Sequence, residues 1–161
     1  MSKHTNVLVS LVTLGLIVKN LNYGSHLRFW WHSSINKPNK LVPIRVSQKT
    51  HVFLNEREFL IHVVVGNNEN PLFPGWVCES GEYSSNIENS PTKAISFLYS
   101  QIFKTKTRYS GHIVIGLDDD NITKQMYQNV CFFPFITHVE KIQNLVSVNH
   151  LIQNGIMVVM F

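Results

Sequence analysis

The residues able to bind a metal or move a proton are numerous but scattered. The eight histidines (His4, His26, His32, His51, His62, His112, His138 and His150) share no HExxH or comparable ligand spacing. His26 and His32 bracket an aromatic run and share no acid. Asp118, Asp119 and Asp120 are contiguous, whereas a calcium loop alternates ligands with spacers and needs a turn glycine and a distal glutamate. Ser110 and His112 flank Gly111, but two residues in a turn are not a nucleophile with an orienting base and acid. No GxSxG, phosphate loop or dinucleotide fingerprint occurs. The expectation is no catalytic residue, no metal site and no cofactor. The three aspartates read instead as helix caps, since an acid at a helix start accepts free N–H groups and favours the positive end of the dipole.

Two other groups suit binding. Lys104, Lys106 and Arg108 place three positive charges in five residues, with no acid between Glu88 and Asp118. Such a stretch attracts nucleic acid or an acidic partner weakly and in a salt-dependent way, without reading base sequence. Arg28, Trp30 and Trp31, flanked by Phe29 and His32, form a basic-aromatic cluster that can stack on bases or grip a peptide; the same residues also suit the packing of a loop. Phe132-Phe133-Pro134-Phe135 reads as core closure.

These residues are set in a chain of 161, long enough for one domain with a real core. Hydrophobic residues make up 44% and charged residues 15%, which excludes a disordered class, and the formal net charge is +4. Cys78 and Cys131 have no metal or redox spacing and read as buried, reduced thiols. The apolar run Val7 to Val18 has the length of a signal-peptide core and is too short to span a bilayer, but its β-branched content and Gly15 suit a buried strand equally.

The elements follow from periodicity. Strands are expected over 12–18, 42–53 and 58–65, with a hairpin connection at Asn55-Glu56-Arg57 and both faces of the last strand covered. Residues 22–43 read as loop, 66–71 as a polar turn, and Phe73 to Cys78 as a short strand broken by Pro74-Gly75. Ser90 is a natural N-cap with Pro91 at the first helical position, and Ala94, Ile95, Leu98, Ile102 and Phe103 give helix 91–103 one apolar stripe. A Ser110-Gly111 turn, a short strand His112 to Ile115 broken by Gly116, and a helix from Ile122 to Val130 follow. Leu145 to Ile152 suits helix or strand, and the apolar residues 156–161 a paired terminal strand or an exposed end. Strands first and helices second indicate an α+β fold: an antiparallel sheet with helices packed on it, in a single domain.

The order Ser90-Pro91-Thr92-Lys93-Ala94, Ser110-Gly111, Gly116-Leu117 and a following helix resembles the C-terminal half of the FY-rich (FYR) module of chromatin-associated proteins. Ile113-Val114-Ile115-Gly116-Leu117 stands where that family has an FFGL-like strand end, without its phenylalanines. A fainter N-terminal half is similar over Val12 to Ile17, over Leu41 to Ile44 with Ser47, Lys49 and Val52-Phe53, and over Glu58 to Val63, with aliphatic residues in place of the family's aromatics. The resemblance gives an FYRN-like segment over 12–65 and an FYRC-like segment over 71–136. It implies a non-enzymatic protein-interaction module in a nuclear, chromatin-associated setting, with a protein partner; the basic stretch adds weak nonspecific nucleic-acid binding, and no apolar run is long enough for a membrane span. The alternative is a small secreted protein whose first 20 residues are a signal peptide.

Overall fold

The strand alternation read from the sequence builds one face of the core. In the computed structural model, which describes residues 7–139 and 142–146 (side chains as far as 134), β1 (Leu8–Thr13) leads through the short α1 (Lys19–Asn22) to β2 (Trp31–His32) and β3 (Val42–Pro43). β4 (Lys49–Leu54), β5 (Arg57–Val65), β6 (Pro74–Ser80) and β7 (Tyr83–Ser84) complete the strand-rich half. The helices α2 (Pro91–Phe103), α3 (Gly111–Val114) and α4 (Asp120–Met126) follow, and then a hairpin of β8 (Phe135–Val139) and β9 (Ile142–Val146). The main sheet is antiparallel with strand order β1-β4-β5-β6-β7, and β2 pairs with β3 in a separate ribbon. This is a mixed α+β arrangement in one domain.

The register of β4 on β5 is fixed by the two-residue connection Asn55-Glu56, both at positive φ (50° and 62°), as a tight hairpin matching strand twist requires. Val52 and Leu54 on β4, and Phe59, Ile61 and Val63 on β5, point to one face and are buried there. α2 lies across that face, chiefly on β6 and β5. Its stripe is as the spacing predicts: Ala94, Ile95 and Leu98 are fully buried, with Tyr99 beside them, and Ser90 Oγ accepts from the Lys93 N–H at 3.2 Å. On the other face of β5, Leu60, His62 and Val64 are only half-buried among the described residues, so the expectation of two covered faces fails.

Other differences have local causes. The first strand is Leu8–Thr13 and not 12–18, because Gly15 (φ 77°) turns the chain and leaves only an isolated bridge at Leu16 and Val46. The expected strand 42–53 divides: Val42–Pro43 pairs with Trp31–His32, and Ser47 at φ 65° separates it from β4. β6 runs through Pro74 and Gly75, which pair with Val65 and Val64, so these two residues begin the strand instead of breaking it. Residues 111–114 are helical, not a strand. The β-branched run is short, and its Val114 and Ile115 gain more by burial than by pairing. α4 ends at Met126, short of Val130. Leu145 and Val146 lie in β9; the rest of 145–152, and the apolar residues 156–161, lie outside the described residues.

The segment expected as loop is organised around the buried Asn22. Its Nδ2 donates to the Ile44 carbonyl at 2.8 Å, its Oδ1 accepts from the Val18 N–H at 3.0 Å, and its carbonyl accepts from Trp31 Nε1 at 2.6 Å. Arg45, also buried, donates through Nη2 to the carbonyls of Met126 (2.8 Å) and Gln128, placing a cation at the C-terminal end of α4 where the helix dipole favours it.

Candidate functional site

The connector after α2 does not trail into solvent. Lys104 adopts φ 56° and its N–H closes on the Ser100 carbonyl at 2.9 Å, which ends the helix and turns the chain back along it. Two pins then hold the returning strand of chain. Ser96 Oγ accepts from the Tyr109 N–H at 3.0 Å, and Thr92 Oγ1 accepts from the Gly111 N–H at 2.8 Å. The Tyr109 ring meets the Tyr99 ring edge-on at 4.9 Å. Burial, and then its hydrogen bond with Tyr99, push the Tyr109 phenol up to about 12.

Between the helix and this pinned chain lies a groove of about 480 Å³. It is lined by Glu88, by Thr92, Lys93, Ser96, Phe97 and Ser100 of α2, and by Lys106, Thr107 and Arg108 of the returning chain. Three cations and a single acidic residue are in this lining. Among the described residues none of Lys93, Lys106 and Arg108 has a carboxylate within ion-pairing distance. The first turn of α2 carries Lys93 and no acid, so the positive end of the helix dipole adds to the field. Phe97 is 49% exposed and supplies an apolar surface in an otherwise polar groove. The arrangement suits an anionic ligand with an apolar part.

Of the basic residues singled out in the sequence, Lys106 and Arg108 line this groove, while Lys104 sits at the turn and does not. Lys93 was missed. Its signal was on α2 itself, where Lys93, Phe97 and Ser100 repeat at helical spacing on the polar face and the phenylalanine is out of place there.

Of the two roles open to the aromatic cluster, packing holds for the tryptophans and ligand contact does not. Trp30 and Trp31 are 0% and 3% exposed, and their ring N–H groups bond to the carbonyls of Leu72 (2.9 Å) and Asn22 (2.6 Å). They are core, because a tryptophan buries a large apolar surface once its N–H finds an acceptor. Arg28 is exposed and lies over Phe29 at 4.7 Å. Neither tryptophan is available for stacking on a ligand.

The Ser90–Ala94 and Ser110-Gly111 segments meet where α2 begins. Pro91 and Ala94 are buried at the start of α2, and Gly111 packs against that start so closely that a Cβ would lie 2.5 Å from the Thr92 nitrogen and 2.6 Å from Pro91 Cγ. Gly116 takes φ 85° with Ile122 packed against it, and Leu117 is buried. Ser110, just before α3, bonds its hydroxyl to His112 Nδ1 at 2.8 Å, and Asp118 Oδ2 lies 3.8 Å from His112 Nε2. That row of Ser, His and Asp lacks the geometry of a nucleophilic triad. The acid is beyond hydrogen-bond distance, and the nearby Gly111 N–H, a candidate oxyanion donor, is already bonded to Thr92.

Of the aspartates, Asp119 caps α4 by accepting from the Ile122 N–H at 3.0 Å. The other two tie down the 33–37 loop. Asp118 accepts from the Ser34 hydroxyl, and Asp120 pairs with Lys37 at 2.6 Å, which lowers the Asp120 pKa. His51 and His62 lie 3.7 Å and 3.3 Å from Glu58 and Glu79. Among the described residues no three metal-ligating side chains converge. Cys78 is buried, and desolvation raises its thiol to about 12; Cys131, expected to be buried, is exposed.

No protein-family model, curated protein or solved structure matches this chain. Among the described residues no helix is long and apolar enough to cross a membrane.

Proposed function

We propose that this protein is a non-enzymatic protein-interaction module of the FYR type, working in a nuclear, chromatin-associated setting, and that the groove beside α2 is its partner-binding face. The groove is the observation that carries the binding part of this reading, because it offers exposed apolar surface together with charge that has no ion-pair partner among the described residues. The family part draws support from the contact of Gly111 with Pro91 and Thr92, which gives the paired SPTKA and SG motifs a physical reason to occur together. Further support comes from Leu8–Thr13, an apolar run used as a strand of the main sheet.

The test is proximity labelling in cells with the chain fused to a biotin ligase. Native chain and a Lys93→Glu/Lys106→Glu/Arg108→Glu variant, matched for thermal stability, are compared. The expected outcome is a set of nuclear chromatin proteins labelled by the native chain and lost with the variant. Identical labelling by both, or labelling confined to secretory proteins, contradicts the proposal.

A further inference from the structure

The geometry points to a specific occupant for the groove: a short acidic peptide segment that carries one apolar side chain. This deepens the interaction reading above and rests on it. Lys93, Lys106 and Arg108 provide the charge complement, one from α2 and two from the returning chain. A carboxylate-bearing segment laid between them meets cations from both, with the Ser100 and Thr107 hydroxyls also in the lining. Phe97, nearly half exposed, gives an apolar side chain a surface to cover. A volume of about 480 Å³ lies inside the range of roughly 300–1,000 Å³ usual for ligand sites.

Nucleic acid fits this groove less well. A single strand is held by successive aromatic platforms along a basic track. Here one ring is exposed in the groove, and Trp30 and Trp31 are buried elsewhere. The Glu88 carboxylate also stands in the wall, where it repels a run of phosphates but tolerates a peptide whose charges are spaced.

The experiment uses the full chain and fluorescence polarisation at low salt. The probe is a fluorescein-labelled peptide of glutamates with one central leucine. Comparison probes are the same peptide with glycine at the centre, a neutral serine version, and labelled single-stranded and duplex DNA. The Glu/Leu peptide is expected to bind, and the Lys106→Glu/Arg108→Glu variant to weaken it by about tenfold or more, a step worth about 1.4 kcal/mol per tenfold. Phe97→Ser is expected to weaken the leucine peptide severalfold and leave the glycine peptide unchanged. Both variants change exposed positions, and a thermal melt checks that they stay folded. Binding of the neutral peptide as tight as the acidic one, tighter binding of either DNA, or no binding of the acidic peptide overturns the inference. If the acidic peptide fails while the charge-reversed chain still loses its cellular neighbours, the interaction reading stands and only the partner chemistry is wrong.

Discussion

Replacing Gly111 by alanine tests whether the pairing of the Ser90–Ala94 and Ser110-Gly111 segments is a packing requirement. Gly111 opens α3 at negative φ, so backbone conformation alone would favour alanine by about 1 kcal/mol. Packing opposes it. The new Cβ would sit 2.5 Å from the Thr92 nitrogen, 2.6 Å from Pro91 Cγ and 2.7 Å from Thr92 Oγ1. Two of these belong to backbone and to a proline ring and cannot rotate away, so the start of α2 and the connector must separate. Overpacking of this kind costs about 1–3 kcal/mol. Separation also stretches the 2.8 Å bond from the Gly111 N–H to Thr92, adding about 0.5–1.5 kcal/mol. Packing wins, and the net expectation is a loss of about 0.5–3.5 kcal/mol. Urea melts followed by tryptophan fluorescence read this as a lower midpoint at unchanged slope. A neutral or stabilising Gly111→Ala change would refute the reasoning and remove the physical basis given to the pairing.

Leu98→Ala, at a fully buried position under α2, should cost about 2–5 kcal/mol, and a change below about half a kcal/mol in the same melts would show that the stripe is not core. Cys131 should react with a thiol reagent in the native protein while Cys78, buried and raised to about 12, reacts only after unfolding; peptide mapping of the labelled sites would expose the opposite order. Burial holds His32 below its ordinary value of 6.5, so on acidification the unfolded chain takes up the proton first. Stability should therefore fall as pH drops below about 6.5, down to the lower folded pKa, and His32→Gln should flatten that part of the profile; parallel profiles for the two proteins would contradict it.

How much was legible follows from how local each signal is. α2 was readable to the residue because its N-cap, first-position proline and apolar stripe are all set within its own span. The β4–β5 hairpin was readable to within a residue, Arg57 belonging to β5 and pairing with Leu54 instead of lying in the connection. Residues 112–115 were misread because β-branched residues state a preference that only a pairing strand can realise, and none of the described strands pairs with them. Trp30 and Trp31 were ambiguous because their acceptors, Leu72 and Asn22, are brought to them by tertiary folding. The groove was half visible. The charges of Lys106 and Arg108 were plain, but their meeting with Lys93 and Phe97 depends on the pins at Tyr109 and Gly111, which link residues 13 and 19 apart through side-chain oxygens. The role of Arg45 has no local signal, because its carbonyl partners lie more than 80 residues away.

The most direct test of the groove as the binding face is a backbone amide NMR titration of the full chain with the leucine-centred acidic peptide. Shifts concentrated at residues 88–100 and 106–108, and abolished by Lys106→Glu/Arg108→Glu, are the predicted result. An unchanged spectrum, or shifts gathered on the other side of the sheet around Phe53, Leu60 and Val64, would contradict it.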